Sequence, residues 1–306
     1  MNIKELIKAG LISNDQRAIY DYKFQTNMRD APWYEWLDTS GYFECRDEYL
    51  IAANNWIHST KRNSITGLED YKFRDMTSGT TQVFDEAYYM YATKRLRIFR
   101  GEYKYHNRVF NNIKFLDDVN GNLIELDEND WIVISNPFCG IGDQHPKMYD
   151  VLDIALQKHV PVIIDCAWFG TCRDIQFDFT HPAITQVCFS LSKGLGLGHL
   201  RSGIRYLKTD NNSVISQQNK YNHLILVTAQ IGIHQMNTFS PDFITNKYYN
   251  AYLEICNKLS FVPTKCAHIA VPPDAGQWAE YINDNVYRKV GLRKLVKQYF
   301  NDSTIL

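Results

Sequence analysis

Long apolar runs are missing from this 306-residue chain, and no stretch approaches the roughly twenty residues that a membrane-crossing helix needs. The opening stretch MNIKELIKAG alternates charge with aliphatic residues, so it reads as an amphipathic helix rather than the apolar core of a secretory signal. An excess of one charge is missing too. Thirty-three basic residues face 34 acidic ones, net charge is −1 and the pI is near 6.7, which leaves no electrostatic case for nucleic acid or a membrane surface. The seven cysteines are odd in number, scattered, and never in CxxC spacing, which excludes a disulfide framework and predicts reduced thiols in a cytoplasmic protein. The nine histidines form no i, i+4 pair and no Cys/His cluster, so no metal site is expected. Repeats and low-complexity tracts are absent. What remains is a globular protein of 35.7 kDa, long enough for one large α/β domain with a smaller accessory one.

The most informative stretch is Ser190–Gly203, SLSKGLGLGHLRSG. Val187, Cys188 and Phe189 end a buried strand, and the chain then offers Ser190, Ser192 and Lys193, a glycine-rich loop and Arg201. A lysine amine can form a Schiff base with an aldehyde. An arginine fork and serine hydroxyls suit a phosphate. Gly194, Gly196 and Gly198 let the backbone turn tightly enough to bring Arg201 back towards Lys193. These glycines are not a dinucleotide fingerprint, because the strand–helix context and the later ribose-binding acid are missing.

Two further apolar runs have the same character. Trp131–Ser135 leads into Asn136-Pro137-Phe138-Cys139-Gly140-Ile141-Gly142, and Val160–Ile164 leads into Asp165-Cys166-Ala167-Trp168-Phe169-Gly170. Short continuous apolar runs separated by helical connections predict parallel strands buried on both faces. Ligands of open α/β sheets lie beyond the carboxyl ends of the strands, where Asn136, Asp165 and Lys193 all fall. Upstream, Ser78-Gly79-Thr80 precedes Val83, Ala87, Met90 and Tyr91 at helical spacing. A Ser-Gly-Thr at a helix start is an ordinary cap when isolated, and a phosphate site when other anion-binding groups join it.

Taken together these segments resemble the pyridoxal-phosphate aminotransferases of class I/II, the aspartate aminotransferase fold. The likeness spans roughly residues 70–260 and is specific at 78–80, 136–142, 165–170 and 190–203. It implies a three-layer α/β fold with a mostly parallel sheet and a reduced C-terminal α+β domain. The expected divisions are an N-terminal helical and irregular segment (1–60), a large cofactor-binding domain (61–235) and a small domain (236–306). The resemblance further implies pyridoxal 5′-phosphate as cofactor, held by Lys193 as an aldimine. Asp165 would pair with the ring nitrogen and Asn136 with the phenolate oxygen. Ser78, Gly79, Thr80, Ser190, Ser192 and Arg201 would surround the phosphate, and Tyr103 (or Tyr105) would stack on the ring. Trp168 adjoins the same ring, and it departs from the family, where a tyrosine hydroxyl usually donates to the phenolate oxygen. An indole offers only its N–H, so the Schiff-base pKa should rise unless another donor substitutes. The second Asn-Pro of the family's N-P-x-N-P-x-G is replaced by Cys139-Gly140. The expected activity is transamination between an amino acid and a 2-oxo acid in a homodimer. Two alternatives stay open: a pyridoxal-phosphate lyase or decarboxylase, since D-x-A-W also occurs there, and an inactive aminotransferase-like binding protein. Arg288 and Arg293 are candidates for the substrate carboxylate by position alone.

At the termini, Asn14 or Asp15 is expected to cap a helix through Tyr20 and Phe24, and Ala31–Trp36 to pack against the main domain or a partner subunit. Ser213–Met236 reads as one long helix and Gln277–Tyr299 as the last.

Overall fold

The computed structural model describes residues 2–32, 44–273, 276–283 and 286–306; Trp33–Trp36 therefore lie outside the described residues. Seven strands build the central sheet: β1 Phe73–Thr77, β2 Arg95–Ile98, β3 Ile113–Phe115, β4 Asp130–Ser135, β5 Val162–Cys166, β6 Ile184–Ser190 and β7 Gly203–Leu207. Their spatial order is β1-β7-β6-β5-β4-β2-β3; β7 runs antiparallel to both β1 and β6, and the remaining pairs are parallel. The expected parallel strands are β4, β5 and β6, side by side in the middle.

The alternation of side chains along each strand divides the core in two. Trp131 and Val133 of β4, with Ile163 and Cys188, face a helix spanning Thr80–Met90 through its Val83, Phe84, Ala87 and Tyr88. Ile132 and Ile134 face the opposite way, into the larger cluster. There they join Val151, Leu152 and Ala155 of the helix Met148–Gln157, together with Tyr49, Ala53 and Trp56 of the helix Glu44–His58. Helices thus cover both faces of the sheet, which is why its central strands are apolar throughout.

The C-terminal part is α+β. A helix over Phe243–Leu259 and another over Arg293–Asn301 accompany a small antiparallel sheet of β8 Val262–Pro263, β9 Ile269–Val271 and β10 Val290–Gly291.

Three local expectations change. The first helix, Ile3–Lys8, forms as expected, but the second is Tyr22–Asp30 with Asp21 as its cap, the Asp15 carboxylate being taken by Arg17 and Arg293. The long helix at Ser213–Met236 is two helices, Val214–Lys220 and Leu226–Thr238, broken where Asn222 adopts a left-handed φ of 53°. Gln277–Tyr299 is not one helix either. Its first half forms a 3-10 turn and short strands, and Gly291 passes so close to Asp15 that a Cβ would lie 1.7 Å from that residue's carbonyl oxygen.

Candidate active site

The carboxyl ends of β4, β5 and β6 lie together, and their side chains supply the chemistry. Asp165, next to last in β5, is 3% exposed. Its carboxylate accepts the Ala167 N–H at 3.0 Å, and the Thr80 hydroxyl is near enough to favour its charged form slightly. Burial pushes this acid up to about 7, against the pull of the nearby Lys193 ammonium and with a push from Glu102. Asn136, one residue past β4, donates its N–H to the Asp165 carbonyl at 2.9 Å and so extends the ladder beyond Ser135. Its buried Oδ1 has no partner among the described residues.

Lys193 sits in the short helix Leu191–Gly194 that follows β6, whose cap, Ser190, accepts the Ser192 N–H at 3.3 Å. The turn can lie against the end of β5 because two glycines meet there. A Cβ on Gly194 would stand 2.7 Å from the Gly170 Cα, so the two backbones touch where side chains would hold them apart. Lys193 Nζ is thereby brought to 5.6 Å from the Trp168 ring centroid and 5.7 Å from that of Tyr103. The Ser192 Oγ is buried without a partner among the described residues.

A second group of residues forms an anion cradle. Gly79, at φ 86°, caps the helix Thr80–Met90, so the helix N-terminus and its free N–H groups face outward from the end of β1. A Cβ at position 79 would lie 3.0 Å from Arg201 Nη2 and 3.6 Å from Ser190 Oγ. The guanidinium, the serine hydroxyl and the helix N-terminus therefore converge on one spot, and a side chain there would fill it. Arg201 donates to the hydroxyl of Thr81, which belongs to the Ser78-Gly79-Thr80-Thr81 segment but was given no role of its own. Ser78 is half-buried and donates its N–H to Gln82 Oε1 at 2.7 Å.

Opposite the cradle lies a cluster that the sequence reading missed. Glu102, 1% exposed, accepts the N–H groups of Tyr103 at 2.8 Å and Ser135 at 2.9 Å, and the Ser135 hydroxyl. Burial raises its pKa despite those bonds. Lys289, 2% exposed, donates to the Cys139 carbonyl and reaches 5.8 Å from the Trp168 ring centroid. Burial lowers its pKa, while Cys139 and Glu102 favour the charged form. His268 meets the Trp168 ring edge-on at 4.9 Å, and burial pushes it down to about 3. No local pattern marks Lys289 or His268; each lies one residue ahead of a strand, β10 or β9, and is buried there.

Glu102, Tyr103, Cys139, Trp168 and Lys193 floor a cavity of about 600 Å³. The segment Asn14–Arg17 closes one side, with Lys104 and Arg108 at the rim. Arg293 is bound to Asp15 at 2.9 Å on that side, and its ion pair accounts for it without a ligand. Arg288 lies half-buried in a short strand, Tyr287–Arg288. Among the described residues no cluster suits a metal ion, and no helix is long and apolar enough to cross a membrane.

With this geometry in view the fold has a class: it is that of the pyridoxal-phosphate-dependent aminotransferases. A tyrosine aminotransferase from Leishmania infantum superposes with a TM-score of 0.61 at 13% identity, covering 94% of this chain and 90% of that one. An aminotransferase from Staphylococcus aureus gives 0.60 at 14%, covering 93% and 89%. A pyridoxal-phosphate-bound C–S lyase from Staphylococcus hominis gives 0.56 at 13%, covering 83% and 82%. The sequence itself matches no protein-family model and no curated protein.

Proposed function

We propose that the chain is a pyridoxal-phosphate enzyme that moves an amino group between an amino acid and a 2-oxo acid. One observation carries this reading: a lysine amine, a buried carboxylate and an anion cradle converge from three strand ends of an aminotransferase fold. The residues fit the cofactor. Its phosphate matches the charge and shape of the space at Gly79, where a Cβ would intrude on Arg201 and Ser190. The unpaired Oδ1 of Asn136 and Oγ of Ser192 are polar groups without a protein partner that a polar ligand could satisfy.

When bound, pyridoxal phosphate supplies an electron sink for charge developing at the substrate α-carbon. The protein supplies the rest. Arg201, Ser190 and the N–H groups at Gly79 and Thr80 hold the phosphate; Ser78 and Ser192 flank it. Asp165 holds a proton on the ring nitrogen, and an N–H⁺ beside the carboxylate reverses the burial that drives its pKa up. Tyr103 and Trp168 orient the ring and exclude water from Lys193. The Lys193 amine, once released by substrate, takes the α-proton and returns it. A homodimer completes the proposal, in keeping with the family.

The C–S lyase neighbour and the Trp168 position favour one second reading, a lyase acting on the same cofactor. The test is direct. Purified protein is mixed with pyridoxal phosphate, reduced with borohydride and mapped by mass spectrometry, then assayed against a panel of amino acids. Cofactor mass on Lys193 with oxo-acid product supports the transaminase. Labelling with thiol, amine or CO₂ as product supports the lyase. No labelling at Lys193 leaves a binding protein that kept the fold.

A further inference from the structure

We propose that Lys289 is the cation that stabilises the phenolate oxygen of the cofactor. The inference rests on the pyridoxal-phosphate reading and answers the problem set by Trp168, which lacks a hydroxyl to donate.

Three fixed points orient the ring: the phosphate in the Gly79–Arg201 cradle, the ring nitrogen at Asp165 and the aldehyde carbon at Lys193. In pyridoxal phosphate the phenolate oxygen lies beside the aldehyde, on the edge away from the phosphate. The cavity wall on that side is made by Cys139, Trp168 and Glu102. Trp168 offers one neutral indole N–H and Asn136, beyond β4, a neutral amide, so neither brings a charge to the phenolate. The Cys139 thiol is a weak donor, burial pushing its pKa up to about 12, and Glu102 is an acid already held by Ser135 and Tyr103. Lys289 lies directly behind that wall, buried against Cys139 and Trp168. Its ammonium gives one of three protons to the Cys139 carbonyl and makes no ion pair among the described residues. It approaches the Trp168 ring to 5.8 Å, much as Lys193 does at 5.6 Å.

The groups facing this ammonium come from every element around it: Glu102 and Lys104 from the loop after β2, Cys139 from the loop after β4, and Cys266 ahead of β9. His268, which shares the Trp168 ring, has neither nitrogen bonded among the described residues and is neutral at physiological pH, with its pKa near 3. Glu102 is the one acid among them, and burial favours its neutral form. A buried ammonium that makes no ion pair among the described residues is costly, and a phenolate arriving with the cofactor would bring an opposite charge to it.

The measurement is spectroscopic. A cation beside the phenolate favours loss of the Schiff-base proton, so the reconstituted wild-type protein should show the shorter-wavelength, unprotonated band at neutral pH. Titrating that band in Lys289→Met should give a pKa higher by about one unit or more, a tenfold gain in proton affinity. Lys289→Arg should titrate near wild type, which a role limited to packing does not predict. A Lys289→Met pKa equal to wild type, or a shift seen in Asn136→Ala instead, overturns the proposal. Should Lys289→Met not fold, the wild type decides: a protonated, long-wavelength band persisting above neutral pH overturns it. If pyridoxal phosphate gives no band with the wild type at all, the proposed function fails as well, so the two failures are distinguishable.

Discussion

The two edges of the candidate site around Lys193 are built in different ways. The cradle edge uses two short segments, 78–81 and 190–201, that act through backbone N–H groups, hydroxyls and one guanidinium, and Arg201 keeps contact with solvent. The opposite edge draws Glu102, Ser135, Cys139, Trp168, His268 and Lys289 from separate parts of the chain and buries nearly all of them. The first edge offers an anion groups whose charge is fixed at every working pH. The second holds an acid, an amine and an imidazole that burial pushes towards their neutral forms. The cradle is therefore suited to affinity and the far edge to tuning, with Lys193 and Asp165 between them.

The harshest way to break this division is to remove its centre. Lys193→Ala should abolish the cofactor band and lower turnover by about 10³-fold or more, as loss of a general base and covalent anchor does. Phosphate-end affinity should survive, measurable by competition with inorganic phosphate or by calorimetry with pyridoxal phosphate. Complete loss of binding in this variant would mean that the cradle does not act independently.

Asp165 separates the edges by pH. Its folded pKa of about 7 lies above the usual 3.8, so the cofactor-free protein holds this proton where the unfolded chain has lost it. The stabilisation is full below about pH 3.8 and is lost as pH rises towards 7, to an upper limit on the order of 4 kcal/mol. Urea titrations of the cofactor-free protein between those limits should show this decline, and Asp165→Asn should flatten it. Pyridoxal phosphate should oppose the decline by pairing with the carboxylate. An unchanged slope in Asp165→Asn would shift the effect to Glu102.

At the cradle, Arg201→Ala should weaken pyridoxal phosphate by roughly ten- to hundredfold, the worth of charged hydrogen bonds to a phosphate, without moving the Schiff-base pKa. A pKa change of the same size as that in Lys289→Met would erase the distinction between the edges.

The same contrast explains what the sequence made legible. The cradle is local: a glycine turn at a helix start and a lysine segment at a strand end are readable because each is contiguous. Asp165 and Asn136 were legible because apolar runs announced the strands whose ends they mark. The far edge carries no such announcement. Lys289 lies in YRKVG, where nothing distinguishes an inward lysine from a solvated one, and the expectation of a helix over Gln277–Tyr299 concealed the two short strands that flank it. Thr81, rather than Thr80, meets Arg201, because adjacent residues at a helix start point in different directions, which spacing alone does not resolve.

The smallest expected effect is the sharpest test of the far edge. Trp168 is 4% exposed and rests edge-on against His268, so Trp168→Tyr trades packing for a hydroxyl and should cost less than about 2 kcal/mol in urea titration. If Lys289 already neutralises the phenolate, the new hydroxyl should lower the Schiff-base pKa by no more than about half a unit. In Lys289→Met the same hydroxyl has an unsatisfied anion to meet, and the drop should be larger. The difference between the two backgrounds is a coupling energy between positions 168 and 289, which a double-mutant cycle reads directly. Equal shifts in both backgrounds would mean that the two side chains act independently, and the far edge would then be packing around the cofactor rather than a device that sets its charge.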